Sequence, residues 1–231
     1  HYASRARARD AIQRGTVTVG GQTVLKPGQS VDPGSPIEIA DEAQVYVSRA
    51  ALKLKHALAH FDLNIAGCHA LDIGASTGGF TQVLLESGVQ SVHAIDVGHG
   101  QLAPEIADDA RVVAIEGLNA RDITVADVAG PIDLIVCDVS FISLKLALPP
   151  ALALAGQGAV LIALIKPQFE VGADKLGKGG VVRDRYLATA ICDVVSNWLQ
   201  TDQSWQVIGV TPSPIAGSDG NHEFLIAARK P

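Results

Sequence analysis

The sequence lacks methionine, has only three cysteines and contains no long uninterrupted hydrophobic run. Its most apolar segment, residues 159–165, is much shorter than the ~18 to 20 residues that a membrane-spanning helix needs. We therefore predict a soluble protein that does not enter a membrane. The cysteines, Cys68, Cys137 and Cys192, form no C-x-x-C pair, which favours inert core thiols and a reducing, cytoplasmic setting. We expect no metal site.

Charged residues are also scarce, at 18% of the chain, whereas hydrophobic residues make up 48%. This balance excludes wholesale disorder and predicts a sizeable buried core. A length of 231 residues suffices for one large domain, or for a full domain with a small additional module. Because the chain begins at His1, we expect further sequence upstream, in which a signal peptide can be neither read nor excluded.

Positive charge is concentrated near the start, although the net charge is −6. Residues 1–60 hold eight Lys/Arg against five Asp/Glu, and residues 61–231 hold ten against nineteen. A short helix is predicted between Ser4, a candidate N-cap, and Gly15, a candidate terminator. Its arginines are Arg5, Arg7, Arg9 and Arg14. Cations grouped in this way can neutralise phosphates of RNA or DNA, and a solvated helix face is the alternative interpretation.

After Gly15 the pattern changes to alternating apolar and polar residues, interrupted by glycine-containing turns. This pattern predicts a small β-ribbon that ends near Ile39. Residues 4–28 resemble the S4-type RNA-binding module, whose usual first helix would precede His1. The resemblance implies a partial α+β RNA-binding module over residues 1–43.

From residue 44 onward, apolar strands alternate with helical segments. Predicted strands cover residues 70–73, 91–95, 112–115, 132–137, 159–165, 206–210 and 224–227. The alternation predicts a doubly wound, Rossmann-like, mostly parallel α/β sheet of seven strands within residues 44–231. Such sheets bind ligands at the carboxyl ends of their strands, which makes Asp72, Asp96, Asp138 and Lys166 candidate site residues.

A glycine-rich turn, DIGASTGGF at residues 72–80, follows the first of these strands. Glycines let the backbone turn tightly there before a helix begins. The spacing G-x-x-x-G-G differs from the dinucleotide pattern G-x-G-x-x-G, and it favours a nucleoside-bearing cofactor without a pyrophosphate over NAD. A tight strand-to-helix turn without a ligand is the alternative.

Four further residues form a constellation in chain order: Lys53, Asp138, Lys166 and Glu223. Taken singly, Lys53 reads as a helix-surface lysine and Asp138 as a strand-end cap. Lys166 is the most distinctive, because seven apolar residues precede it and a proline follows. Their order and context resemble the FtsJ-like ribose 2'-O-methyltransferases, whose hallmark is a Lys-Asp-Lys-Glu tetrad.

More closely, the chain is similar to the TlyA family of ribosomal-RNA methyltransferases. The similarity extends through nearly the whole chain, in stretches such as YVSR at 46–49, CDVSFISL at 137–144 and IKPQFE at 165–170. Ala50-Ala51 and His99 depart from the family pattern, and His99 bears on the cofactor pocket. The resemblance implies S-adenosylmethionine as cofactor. It also implies that the acceptor is the 2'-hydroxyl of a cytidine in ribosomal RNA, within a ribosomal subunit or an assembly intermediate.

The resemblance further implies roles for individual residues. The implied catalytic residues are Lys53, Asp138, Lys166 and Glu223. The implied cofactor-binding residues are Asp72, Gly74, Ala75, Ser76, Thr77, Gly78, Gly79, Phe80, Asp96, Val97, Asn119 and Asp138. The expected RNA contacts are Arg5, Arg7, Arg9, Arg14, Arg49, Lys178 and Arg183. The last two belong to a glycine-rich segment, residues 172–185, that we expect to be a mobile loop.

Methyl transfer to a ribose hydroxyl is an in-line displacement, so the enzyme must align the nucleophile and help to remove its proton. Our hypothesis assigns Lys166 as the base. Because a lysine in water is protonated at neutral pH, this role requires desolvation or a cationic neighbour such as Lys53. The carboxylates of Asp138 and Glu223 would orient the lysines but oppose their deprotonation, and the sequence leaves that balance open.

Three other functions are compatible with parts of the sequence. A non-catalytic RNA-binding or ribosome-assembly factor would retain the arginines without turnover. The haemolysin label that proteins of this family often bear would require membrane insertion, for which the sequence offers no spanning segment. A nicotinamide oxidoreductase is disfavoured by the glycine spacing. The sequence does not indicate an oligomeric state.

Overall fold

The structure is a computed structural model that describes residues 1–2, 4–171, 177, 180–182, 184–217 and 220–231. Within these residues the chain divides into two compact units, His1–Tyr46 and Val47–Pro231. The division predicted from the sequence lies between residues 43 and 44.

The first unit consists of one helix and a three-stranded antiparallel sheet of order β2-β1-β3. Its elements are α1 (Arg5–Gln13), β1 (Val17–Val19), β2 (Gln22–Thr23) and β3 (Ile37–Ile39). Ser4 caps α1, because its side chain accepts a hydrogen bond from the backbone N–H of Arg7. Gly20 and Gly21 join β1 to β2 with φ values of +58° and +76°, which a two-residue hairpin turn of this kind requires.

The second unit alternates strands with helices over most of its length. Its elements in chain order are α2 (Ala51–His60), β4 (His69–Ile73), α3 (Gly79–Glu86), β5 (Ser91–Asp96), α4 (Pro104–Ala107), β6 (Val112–Glu116), β7 (Leu134–Cys137), α5 (Leu144–Ala147), α6 (Pro149–Leu154), β8 (Val160–Ile165), α7 (Pro167–Glu170), α8 (Arg185–Thr201), β9 (Gln206–Pro212) and β10 (Phe224–Arg229).

The seven strands β4 to β10 form one sheet of order β6-β5-β4-β7-β8-β10-β9. Strands β4 to β8 pair in parallel, whereas β10 is antiparallel to both β8 and β9. The chain builds outward from β4 to β6 and then crosses back to β7 on the other side of β4. The predicted doubly wound, mostly parallel seven-stranded sheet is therefore confirmed, and its switch point lies between β4 and β7.

Both faces of the central strands are buried. All four residues of β7 are buried, although successive side chains point to opposite faces of a sheet. One face packs on α5, α6 and α8 through a large apolar cluster that includes Ile135, Leu148 and Val195. Strands covered on both sides read as continuous apolar runs, which explains why the sequence pattern revealed them.

The cysteines follow the expectation only in part. Cys137 and Cys192 are buried, but Cys68 is partly exposed, and none of the three forms a disulfide. Burial raises the pKa of each thiol. Within the described part of the chain, no helix combines the length and the apolar character needed to cross a membrane.

Candidate functional site

A cavity of about 920 Å³ opens at the carboxyl ends of β4, β5 and β7. Parallel pairing sets Ile73 beside Ile95 on one side and Cys137 on the other. The residues that follow these strands therefore meet at one edge of the sheet. Two segments border the cavity there: the glycine loop, residues 74–79, and the β7 loop, residues 138–143.

The tetrad predicted from the sequence is assembled in the structure. Lys53 Nζ lies 2.6 Å from Glu223 Oε2 and 3.9 Å from Asp138 Oδ2. Lys166 Nζ lies 2.6 Å from Asp138 Oδ1 and donates a hydrogen bond to Ser140 Oγ at 2.8 Å. The contact of Lys166 with Asp138 is an ion pair rather than a directed hydrogen bond, because Oδ1 accepts no bond of good geometry from the described residues. The four groups form one line, Lys166–Asp138–Lys53–Glu223.

This cluster of charges is buried. Lys53, Lys166 and Glu223 are 6%, 8% and 4% exposed. Desolvated charges persist in a fold only when they are paired, and two ammonium groups alternate here with two carboxylates. Asp138 lines the 920 Å³ cavity, and Glu223 lines a second cavity of about 280 Å³. Two members of the cluster, Asp138 and Glu223, therefore each border a different cavity.

Local structure explains how each charged side chain reaches the cluster. Lys53 lies on the face of α2 that also buries Leu54 and Ala57, so it is not the surface lysine that a bland interpretation expects. Lys166 directly follows β8, where the proline at 167 begins α7. Glu223 immediately precedes β10, and Gly217 leaves room for it, since a Cβ there would lie 2.6 Å from Glu223 Oε1.

Six of the predicted cofactor-binding residues line the cavity: Gly74, Ser76, Asp96, Val97, Asn119 and Asp138. The Asp96 carboxylate is held by two backbone N–H groups, from Ser76 at 2.8 Å and from Gly98 at 2.7 Å. Each oxygen keeps a further lone pair that can accept a hydroxyl proton. Gly74 has φ +81°, and a Cβ there would lie 2.7 Å from the Asp138 carbonyl oxygen. Glycine is therefore required where the two loops meet.

The other six predicted cofactor residues do not line the cavity, and their contact with a cofactor stays a prediction. They are Asp72, Ala75, Thr77, Gly78, Gly79 and Phe80. Gly78 packs against Leu102 and Ile106, and Gly79 packs against Ser48, so these glycines serve close internal packing.

Asp72 is one of these six residues, and its side chain is completely buried within the sheet. Its Oδ2 accepts a hydrogen bond from Thr81 Oγ1 at 2.6 Å, toward α3 and away from the cavity. Burial raises the pKa of Asp72 to about 7. Asp72 therefore links β4 to α3, the helix that follows the glycine loop.

Other cavity residues carried no predicted role. Phe141, Phe169, Gln101, Arg121, Ser140 and Leu146 line the cavity as well. The Phe141 and Phe169 rings lie 5.1 Å apart, and Phe141 is 90% exposed with φ +66°. The sequence gives residues 140–144 no predicted role beyond their match to the family pattern. An exposed aromatic side chain in a left-handed conformation leaves no signal in the sequence.

The predicted arginine cluster of the first unit is divided between two uses. Arg5 and Arg9 are exposed and remain available for phosphates. Arg7 donates hydrogen bonds to backbone carbonyls, including that of Tyr46 at 2.6 Å. Arg14 pairs with Asp10 and with both carboxylate oxygens of Asp41. Arg7 and Arg14 therefore stabilise the unit itself, and phosphate contacts by the four arginines stay a prediction.

The remaining predicted RNA contacts belong to the second unit. Arg49 is half-buried just before α2. Lys178 and Arg183 lie outside the described residues, as does most of the predicted mobile loop at residues 172–185. Among the residues that the structure describes, no three His, Cys, Asp or Glu side chains are grouped to hold a metal ion.

The cavity has the chemistry that a nucleoside-bearing cofactor needs. Asp96 offers a fixed carboxylate for ribose hydroxyls, and Asn119 offers an amide at the same rim. Ile73, Ile95 and Leu118 supply apolar surface between them. A nucleoside linked to an amino acid fits this set, since most of its area is apolar and its polar groups are few.

A seven-stranded sheet with one antiparallel strand, a nucleoside-type cavity and a buried Lys-Asp-Lys-Glu cluster together define a methyltransferase. The family model described as FtsJ-like methyltransferase matches residues 46–230, and the S4 domain model matches residues 1–37. The chain therefore belongs to the FtsJ-like methyltransferase family, within its TlyA group, and includes an S4 domain.

Full-length relatives support this placement. The 16S/23S rRNA (cytidine-2'-O)-methyltransferase TlyA of Mycobacterium tuberculosis is 42% identical over 98% of this chain and 84% of its own length. Hemolysin A of Brachyspira hyodysenteriae is 39% identical over 96% of this chain and 92% of its own. A solved structure of a candidate hemolysin from Streptococcus thermophilus has a TM-score of 0.81 at 38% identity, covering 99% of this chain and 84% of that one.

Proposed function

We infer that this protein is an S-adenosylmethionine-dependent methyltransferase that modifies the 2'-hydroxyl of a ribose in ribosomal RNA. The buried line of Lys166, Asp138, Lys53 and Glu223 beside the cavity is the observation that carries this conclusion. Cytidine is the acceptor nucleoside, in keeping with the names of the TlyA relatives from Mycobacterium tuberculosis and Campylobacter jejuni.

Gly74, Ser76, Asp96 and Asn119 would hold the cofactor at the rim of the cavity. When bound, S-adenosylmethionine supplies an electrophilic methyl group on a sulfonium centre. Transfer of that methyl group to the ribose would require the hydroxyl to lose its proton to the protein. The protein's task is to place that hydroxyl in line and to accept the proton.

We assign proton acceptance to Lys166 Nζ, which must enter this step as the neutral amine, because the ammonium form has no lone pair. Ser140 and Asp138 hold this nitrogen from two sides, at 2.8 and 2.6 Å, which fixes its direction. Lys53 and Glu223 complete the line and keep Asp138 between two cations. In this arrangement Lys166 reacts, Asp138 orients it, and the Lys53–Glu223 pair balances the buried charge.

The Phe141 and Phe169 rings form an aromatic surface at the same cavity. Nucleotides of single-stranded or locally opened RNA are commonly held by stacking on exposed aromatic side chains. We assign this pair to the base of the acceptor nucleotide or of its neighbour. Arg5 and Arg9 of the S4 domain would add phosphate contacts that do not depend on sequence.

The finer context of the substrate is also part of this proposal. We place the acceptor in a ribosomal subunit or an assembly intermediate, because an S4 domain and a methyltransferase unit on one chain suit a structured ribosomal RNA. Because the proposed substrate belongs to the ribosome, we propose that the protein acts in the cytoplasm. Methyl transfer to whole subunits and to the same RNA without proteins, measured side by side, separates these substrates.

The first experiment is a calorimetric titration with S-adenosylmethionine and, separately, with NAD, followed by tritiated-methyl transfer to ribosomal subunits. We expect binding of S-adenosylmethionine alone and label in the RNA. Lys166→Ala and Lys166→Arg should both lose about 10²- to 10⁴-fold in turnover, since an arginine retains the charge but does not release its proton.

Lys230→Ala is the matched control for that experiment. Lys230 donates to the backbone carbonyls of Leu152 and Ala155, so its replacement tests the loss of a partly buried lysine outside the cavity. Near-normal turnover of Lys166→Ala would overturn the assignment of Lys166. Intact RNA binding without cofactor binding would indicate a non-catalytic RNA-binding factor instead.

A further inference from the structure

Glu170 ends the segment that begins with Lys166, yet it has no part in the proton transfer described above. Its Oε2 accepts a hydrogen bond from Ser143 Oγ at 2.6 Å, and its Oε1 accepts one from the backbone N–H of Leu144 at 2.7 Å. Hydrogen bonds to an ionised carboxylate are roughly twice as strong as neutral ones. Glu170 therefore attaches the segment after β8 to the end of the β7 loop.

The β7 loop is held at three points along its length. At its start, the backbone N–H of Asp138 donates to the carbonyl of Ile73 at 3.0 Å. In the middle, Ser140 accepts the hydrogen bond from Lys166. At its end, Ser143 is bound by Glu170. Two of the three attachments thus come from one short segment, Lys166 to Glu170.

Phe141 lies between the second and third attachments, in a conformation that phenylalanine does not adopt by preference. Its φ is +66°, and the ring is 90% exposed. A left-handed backbone at a bulky residue persists only where the surrounding structure imposes it. The packing of Phe141 on Phe169, the residue before Glu170, shows that the same segment also receives the ring.

We propose that Glu170 is a positioning residue whose two hydrogen bonds, to Ser143 and Leu144, keep Phe141 exposed beside Phe169 for contact with the RNA. The inference rests on the proposed function for the identity of what the rings contact. Without Glu170, the loop is released at its end, and Phe141 can return to an ordinary φ with its ring turned away. Glu170 then sets the affinity for the acceptor RNA rather than the transfer step.

The test compares Glu170→Ala with Glu170→Gln and Asp127→Ala. A glutamine can still accept from the Leu144 N–H and donate to the Ser143 hydroxyl, so it should restore the attachment. Asp127 makes a similar pair of contacts elsewhere, accepting from the Thr124 backbone N–H at 2.8 Å and from its hydroxyl at 2.7 Å. Its replacement removes equivalent bonds without touching the cavity.

We expect Glu170→Ala to raise the KM for ribosomal RNA by about 5- to 150-fold, because the stacking of one base on an aromatic side chain contributes a factor in this range. The kcat and the dissociation constant for S-adenosylmethionine should change much less. The KM of Glu170→Gln and of Asp127→Ala should stay within about threefold of the wild-type value. Such a change is smaller than the tenfold that corresponds to ~1.4 kcal/mol.

A double variant separates positioning from general destabilisation. If Glu170 acts through the ring, Glu170→Ala should add almost nothing to the KM of a Phe141→Ala protein. Full additivity of the two changes, or a wild-type KM in Glu170→Ala, would overturn the inference.

Hydrogen exchange at the Leu144 amide tests, without any RNA, whether Glu170 holds the end of the β7 loop. Exchange should be faster in Glu170→Ala and near wild type in Glu170→Gln, and unchanged protection in Glu170→Ala would contradict the attachment. A wild-type protein that transfers no methyl to ribosomal RNA would instead overturn the proposed function.

Discussion

The glycine loop and the β7 loop border the same cavity, but they contribute to it in opposite ways. Of the glycine loop, only Gly74 and Ser76 line the cavity, whereas Ala75, Gly78 and Gly79 are buried. All six residues of the β7 loop line it. The comparison teaches that the glycine loop shapes the site through the space it leaves, whereas the β7 loop supplies Asp138, which orients Lys166, and side chains that line the cavity.

If the β7 loop supplies the chemistry, its first residue should be the most sensitive. Asp138→Asn removes the carboxylate between Lys166 and Lys53, so two buried cations lose their shared partner. We expect kcat to fall by about 10²- to 10⁴-fold while S-adenosylmethionine still binds. Asp133→Asn, at the other end of β7, is the control, and equal losses in both variants would contradict the account.

The glycine loop should be sensitive to added volume rather than to lost chemistry. Gly74→Ala places a Cβ 2.7 Å from the Asp138 carbonyl oxygen, at φ +81°. Gly67→Ala has nearly the same φ, +77°, with nothing within 4 Å, so it isolates the backbone cost of ~1 to 2 kcal/mol. We expect Gly74→Ala to destabilise the fold more than Gly67→Ala and to weaken cofactor binding at least about tenfold. If calorimetry gave the same destabilisation and the same cofactor affinity for Gly74→Ala and Gly67→Ala, the glycine loop and the β7 loop would not be in close contact.

The buried carboxyl group of Asp72 should make the free energy of unfolding depend on pH. Its pKa is about 7 in the fold against an ordinary value of 3.8, so the native state binds more protons between these values. The contribution of Asp72 to stability is therefore full at low pH and falls as the pH rises through this window, by at most ~1.4 kcal/mol per pH unit. Asp72→Asn should flatten this slope in denaturant titrations at pH 5 and pH 7.5. If the pH dependence of unfolding were the same in Asp72→Asn, a group other than Asp72 would be responsible for it.

The smallest expected effect comes from a substitution to glycine in the β7 loop, the opposite of the glycine replacement described above. Phe141→Gly relieves a positive φ in the β7 loop and removes a ring that is 90% exposed. We expect the free energy of unfolding to stay level or to rise by up to about 1 kcal/mol, although RNA binding weakens. A marked loss of stability would mean that the Phe141 ring serves packing rather than contact.

Much of this comparison could be predicted from sequence, because buried parallel strands leave long apolar runs and catalytic residues follow them directly. Asp138 and Lys166 were found in this way, and family order added Lys53 and Glu223. The glycine loop was identified correctly as a turn, but which of its residues reach the cavity depends on packing against Leu102, Ile106 and Ser48.

Other features depend on contacts that no local pattern contains. Arg14 finds Asp41 across a separation of 27 residues, which turns an expected phosphate contact into an internal ion pair. Phe141 occupies a conformation that sequence rules reserve for glycine. The attachment of Ser143 to Glu170 likewise appears only once β7 and β8 lie side by side.

Nucleoside mass spectrometry of ribosomal RNA, after incubation with the protein and isotopically labelled S-adenosylmethionine, tests the central claim most directly. The account predicts label on the 2'-oxygen of cytidine with the wild type, and its loss with Lys166→Ala but not with Lys230→Ala. Label on a base, or undiminished ribose label with Lys166→Ala, would contradict it.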